Sequence, residues 1–266
     1  MGTPLKILIA GKFVPSGHNK IGGLQSWIKT VENELYRLGH TVELWQPDMI
    51  LKGDFDLGII SNIDLTRKAI KHCRKTILVS HGIIEAEKPY YLCDKLLFVS
   101  EGVRNHWDMD GEIIRQPIDL DFWSPRQNKT NLVSRYSYRT GNTHCEPIAT
   151  TLNREYCHIN GVTHEQARKI ICNSLVVFAT GRAALESMAC GVPTVIYDHR
   201  QAYQPPLMGL DLDLEMQNSY SGRSGTTPTF KEVLSATDKA VNKNNWRDWV
   251  VANHDVKKIV KELLSE

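Results

Sequence analysis

Residues 174–200, SLVVFATGRAALESMACGVPTVIYDHR, are the stretch around which the chain is organised. Residues 175–179 form a short, β-branched apolar run of the kind that makes a buried strand. Thr180-Gly181 interrupts it, and residues 182–190, rich in Ala, Leu and Met, read as a short helix. Gly191 ends that helix, Pro193 prevents its continuation, and residues 194–197 begin the next strand. The pattern is a βαβ unit whose first turn aims helix N–H groups at whatever lies above the sheet. Such a terminus attracts anions, phosphate above all. Glu186, one turn into an otherwise apolar helix, needs an explanation.

Around this stretch lies a chain of 266 residues, enough for one large or two small domains. At 41% hydrophobic and 23% charged it has the composition of an ordinary globular protein. A formal net charge of +2 excludes the dense positive field that by itself would point to nucleic acid. The first apolar run, residues 5–10, is too short for a signal peptide or a membrane span, and the N-terminus lacks the myristoylation pattern. Six cysteines without a CxxC pair, mostly in apolar contexts, predict reduced thiols and a cytoplasmic protein.

The first half alternates strands and helices. LKILIA, TVELW, DLGIIS, TILVS and KLLFVS read as strands. Gly22-Gly23 precedes a helix with Leu24, Trp27, Ile28, Val31, Leu35 and Leu38 on one face. The 11–23 loop is long for a βα turn, which points to a ligand-facing role. No GxGxxG fingerprint is present, so nothing supports NAD. Pro117, Pro125 and the polar RQNKTN run mark a linker, anchored by Ile118, Phe122 and Trp123. A second block follows, with strands at NLVSR and REYCHI, helices over 142–152 and 163–172, and then the opening stretch. YSGRSGTTPT is a loop, and the tail is one final helix. The expectation is a Rossmann-like domain over 1–117, a second over 126–245 and a closing helix over 246–266. The C-terminal ends of both sheets should face a cleft between them.

GRAALESMACGVPTVIYD resembles the donor-binding segment of the retaining glycosyltransferases of family 4, which have the GT-B fold and read E-x7-E followed by A-M-A-x-G-x-P. Further landmarks occur in the same order. GHNKIGGLQSWIKTVENELYRLGHTVELW is similar to the family's glycine loop, helix and Gly-His strand entry. ILVSHG is similar to its strand ending in His-Gly, LLFVSEGVRN to its strand ending in Ser, and PIDLDFWSP to its interdomain segment.

The resemblance implies a glycosyltransferase using a nucleotide-diphosphate sugar such as UDP-glucose, without a metal or other cofactor. The charge that develops on the diphosphate would then be met by fixed cations and helix N–H groups. The implied catalytic set is His81, hydrogen-bonding a hydroxyl of the transferred sugar, with Arg135 and Arg139 clamping the diphosphate. Gly22 and Gly23 would allow close backbone approach. Gly181, Arg182 and Ala183 would present backbone donors, and Glu186 would hold the nucleotide ribose. Ser100 and Glu101 fall on the acceptor side. The acceptor is left open between a glycan, a lipid-linked sugar and a modified DNA base.

Two positions depart from the family pattern. The first Glu of E-x7-E falls at Phe178, and the second basic residue is Arg139 instead of Lys, one position early. The alternatives are a DNA-base glucosyltransferase and a nucleotide-sugar binding protein without turnover. Three Asp-x-Asp triplets (residues 54–56, 119–121 and 211–213) look like metal sites, but three copies in one chain argue for chance. RKAIKHCRK, residues 67–75, reads as a short cationic helix. It is a solvated face or a contact for the phosphates of an anionic acceptor or membrane surface.

Overall fold

The computed structural model describes residues 3–11, 22–46, 49–61, 63–89, 93–126, 131–137, 143–198 and 205–265, without the side chains of 63–65 and 86. Arg139 lies outside the described residues. Contacts divide the chain into two compact units. One comprises Met1–His18, Leu24–Pro117 and Val256–Glu266, the other Asn19–Gly23 and Ile118–Asp255.

The first unit runs β1 (Lys6–Ala10), α1 (Gly23–Arg37), β2 (Thr41–Trp45), β3 (Phe55–Ile60), α2 (Ile63–Ala69), β4 (Cys73–Ser80), β5 (Lys95–Phe98), α3 (Glu101–Trp107) and β6 (Glu112–Ile113). The strands pair in the order β2-β1-β3-β4-β5-β6, all parallel. Parallel pairing needs both sheet faces covered, which is why these strands are near-continuous apolar runs. Helix α1 buries Trp27, Ile28, Val31 and Leu35, and leaves the expected Leu38 beyond the helix end and 38% exposed. The cationic stretch is not one helix. Helix α2 ends at Ala69, Ile70–His72 forms a 3-10 turn, and Cys73 already belongs to β4.

The second unit runs β7 (Leu132–Tyr136), α4 (Cys145–Thr151), β8 (Glu155–Ile159), α5 (His164–Cys172), β9 (Ser174–Ala179), α6 (Arg182–Ala189), β10 (Thr194–Tyr197), β11 (Met208–Gly209), α7 (Leu212–Gln217), α8 (Phe230–Asn242) and α9 (Trp246–His254). The strand order is β11-β10-β9-β7-β8, with only β11 antiparallel. Ile118 and Trp123 of the expected linker are buried in this unit's core. Arg247 of α9 fixes the segment by donating to the carbonyls of Leu120 and Trp123, and also to that of Ala189 at the end of α6.

The single closing helix is instead two. Asp255 is extended and bridges to Ile118, whose N–H donates to the His254 carbonyl at 2.8 Å. Beyond this break, α10 (Val256–Leu264) buries Val256, Ile259, Val260 and Leu263 in the core of the first unit.

Candidate functional site

Strand β9 delivers the chain to Gly181, whose φ of 58° and ψ of −135° suit glycine alone among the residues. The Gly181 N–H donates to the Tyr220 carbonyl at 2.6 Å, so it is not one of the donors facing a ligand. Its carbonyl accepts from Ala184 and Leu185 and opens α6. A helix that starts here puts the Arg182 and Ala183 N–H groups in its first turn. Tyr220 is itself held in place. Its hydroxyl accepts from the Trp249 indole at 2.9 Å and meets His254 Nε2 at 2.8 Å. The buried Glu215 carboxylate accepts from Gly222 N–H at 2.7 Å and from the Ser224 hydroxyl, ordering the loop that follows. Sequence reasoning missed Tyr220, Glu215 and His254, because each acts through partners distant in the chain.

Glu186 is 2% exposed, and its carboxylate accepts from Arg182 Nε at 3.0 Å and from the Tyr136 hydroxyl. Burial pushes the Glu186 carboxyl up and the Arg182 guanidinium down, and their mutual attraction opposes both shifts. Burial, reinforced by the Glu186 charge, drives the Tyr136 phenol well above its ordinary range. His164 belongs to the same neighbourhood: burial and the Arg182 charge keep its imidazole below the usual value. The expected ribose carboxylate is thus the centre of a buried Arg182–Glu186–Tyr136 cluster.

Arg135, one residue before the end of β7, pairs with Phe178 of β9 and is 2% exposed. Its Nε and Nη2 both donate to one oxygen of Asp198, the former at 2.7 Å, so its charge is already compensated. Phe178 is fully buried in β9 and packs edge-to-face on Tyr197. Gly22 and Gly23 fall with the second unit in the division by contacts, Gly23 being the first residue of α1, and a Cβ on Gly23 would meet nothing within 4 Å.

In the first unit, His81 follows β4 and lies with its Nε2 3.3 Å from the Ser61 hydroxyl, which follows β3. The His81 ring meets Trp27 edge-on at 4.8 Å, and among the described residues the buried Trp27 indole N–H has no hydrogen-bond partner. Glu87 was not expected here. Its carboxylate, raised by burial, lies where a Cβ on Gly82 would collide with it. Ser100 and Glu101 serve α3: the Ser100 hydroxyl caps it by accepting from Val103 N–H at 3.3 Å. Glu101 makes a two-point ion pair with Arg115 at 3.1 Å on each arm; burial raises its carboxyl, but this pair, a backbone hydrogen bond and the Arg104 charge together lower it.

The Asp-x-Asp triplets have local roles. Asp56 accepts from Lys6 N–H, Asp119 from the N–H groups of Asp121 and Phe122, and Asp211 from those of Asp213 and Leu214 at the start of α7. Among the described residues no three His, Cys, Asp or Glu side chains converge as a metal site would need. No helix among them is long and apolar enough to cross a membrane.

No family model matches the chain, and no curated protein sequence does. Solved structures do. AviGT4, a glycosyltransferase involved in avilamycin A biosynthesis, superposes with a TM-score of 0.64 at 14% identity, over 98% of this chain and 96% of its own. An α-glucosyltransferase in complex with UDP-glucose and DNA containing an abasic site gives 0.59 at 11% identity, over 98% of both chains. Sucrose-phosphate synthase from Thermosynechococcus elongatus gives 0.58 at 11% identity, over 97% of both. The chain has the GT-B fold. Identities this low speak to architecture, and a GT-B chain takes its chemistry from its own side chains.

Proposed function

We propose that this GT-B protein is a glycosyltransferase that moves a sugar from a nucleotide-diphosphate donor to an acceptor, with retention and without a metal, in the manner of family 4. The observation that carries the proposal is the Gly181 turn. A glycine-only backbone conformation at the C-terminal end of β9 starts a helix whose first N–H groups suit a diphosphate, with Glu186 one turn on. In this reading the Arg182 and Ala183 N–H groups receive the diphosphate. Arg135 joins them by exchanging Asp198 for phosphate, and Arg139 is the second cation. Glu186 accepts from the ribose hydroxyls once a covering side chain moves, since a carboxylate has about four acceptor sites and Arg182 and Tyr136 occupy two. Gly22 and Gly23 let the donor approach the backbone closely, and His81 donates to a hydroxyl of the transferred sugar. Ser100 and Glu101 shape the acceptor side through α3. Six free thiols fit a cytoplasmic setting.

The test is nucleoside-diphosphate release from a panel of sugar nucleotides, UDP-glucose first, with and without a chelator. Turnover insensitive to the chelator is expected. Donor binding without turnover would leave a nucleotide-sugar binding protein, and no binding at all would remove the reading. A second reading, a DNA-base glucosyltransferase, is favoured by the neighbour solved with UDP-glucose and DNA. Transfer to hydroxymethylated but not plain DNA would establish it.

A further inference from the structure

The cationic stretch that the proposed reaction leaves unused forms one wall of a pocket in the first unit. The pocket has a volume of about 300 Å³ and is lined by Trp45, Met49, Leu51, Arg67, Lys68, Lys71 and His72. Among the described residues that line it, four of the seven are basic and none is acidic. Among the described residues, no carboxylate lies within ion-pair distance of Arg67, Lys68 or Lys71, whereas the neighbouring Arg74 is bridged to Asp56 at 3.5 Å. The pocket is braced on both sides. The Trp45 indole N–H donates to the Met49 carbonyl at 3.0 Å, and His72 Nδ1 pairs with the Gly53 carbonyl at 3.0 Å. Between these two anchors the chain holds two apolar side chains in water: Met49 is 47% exposed and Ile50 80%.

We propose that this face docks the first unit on an anionic lipid bilayer, the pocket taking a lipid phosphate and Met49 and Ile50 entering the acyl boundary. Each half of the feature alone has a bland explanation, a solvated basic turn or a stray exposed aliphatic. Together they match the two requirements of interfacial binding, cations at the headgroup level and apolar side chains projecting past them. A polynucleotide surface would use the same cations but gives exposed aliphatic side chains no stacking partner, for which aromatic rings are suited. The inference stands on the first unit's surface and is independent of the donor site.

The experiment is co-sedimentation of the full chain with phosphatidylcholine vesicles, with and without phosphatidylglycerol, alongside a short duplex DNA. Binding only to the anionic vesicles, weakened by salt, is expected. Near a charged surface each lysine is worth about fivefold, so Lys68→Gln with Lys71→Gln should weaken binding roughly 25-fold. Ile50→Ser, which leaves the charge unchanged, should weaken it by at least about fivefold. All three positions are at the surface, and unchanged melting curves will show that the variants fold. No binding to anionic vesicles, or binding that neither variant alters, overturns the proposal. So does tighter binding to DNA that ignores Ile50→Ser, which would assign the face to a polynucleotide.

Discussion

Gly23 separates a structural glycine from one kept for a ligand. Its place at the start of α1 leaves open space where a Cβ would go, so Gly23→Ala should fold without strain and gain about 0.4–1 kcal/mol in urea denaturation. If the donor backs onto this glycine, the same variant should lose donor affinity in a titration while its stability rises. Arg135 poses the reverse problem. Arg135→Ala strands the buried Asp198 charge and should cost about 3–5 kcal/mol, so its lost activity would say little about phosphate. Removing both charges, with Arg135→Met and Asp198→Leu, should recover much of that stability in the same denaturation assay. The pairing could not be read from the chain, because the partners are 63 residues apart and meet only through the strand order β10-β9-β7. Glu186 was legible as an anomaly, a carboxylate in an apolar helix, yet its burial against Arg182 and Tyr136 was not.

Among the elements, β4 and β5 are joined by more than their ladder. The Asp94 carboxylate accepts from the Thr76 N–H at 2.7 Å and the Thr76 hydroxyl at 2.8 Å, and those bonds lower its pKa below the ordinary 3.8. A carboxyl with a depressed folded pKa adds stability above its unfolded value, and that stability is lost as pH falls through the folded value. Asp94→Asn should therefore lower the melting temperature at neutral pH, and its curve should converge with the parent's below about pH 3.8. The strands of both units were legible because buried parallel strands are apolar on both faces. Helix α8 was missed although Thr229 and Glu232 form a capping box at its start. Its buried face is Val233, Ala236, Thr237 and Ala240, with Phe230, Leu234 and Val241 packed beside them, an apolar period that was there to be read.

At the scale of the whole molecule, the first unit is discontinuous in sequence. Four side chains of α10 belong to its core, and their burial is worth roughly 6–12 kcal/mol as an upper figure, comparable to the whole stability of a domain. A chain truncated after Asp255 should lose the first unit's cooperative transition by circular dichroism or proteolysis, and joining residues 256–264 to Pro117 through a flexible linker should restore it. The two-block plan and the boundary near Pro117 could be read from alternating strands and a proline-bearing stretch. The return of the chain could not, since Trp246–His254 and Val256–Leu264 read as one amphipathic helix and only the Ile118–Asp255 bridge divides them.

That return also sets an order of assembly. Domains ordinarily fold as they leave the ribosome, the N-terminal one first. Here every strand of the first sheet is synthesised before Pro117, but the helix that seals its core follows residue 255. The nascent first unit must wait, with part of its apolar interior uncovered, through the synthesis of more than half the protein. The second unit, made later, can complete its own core sooner.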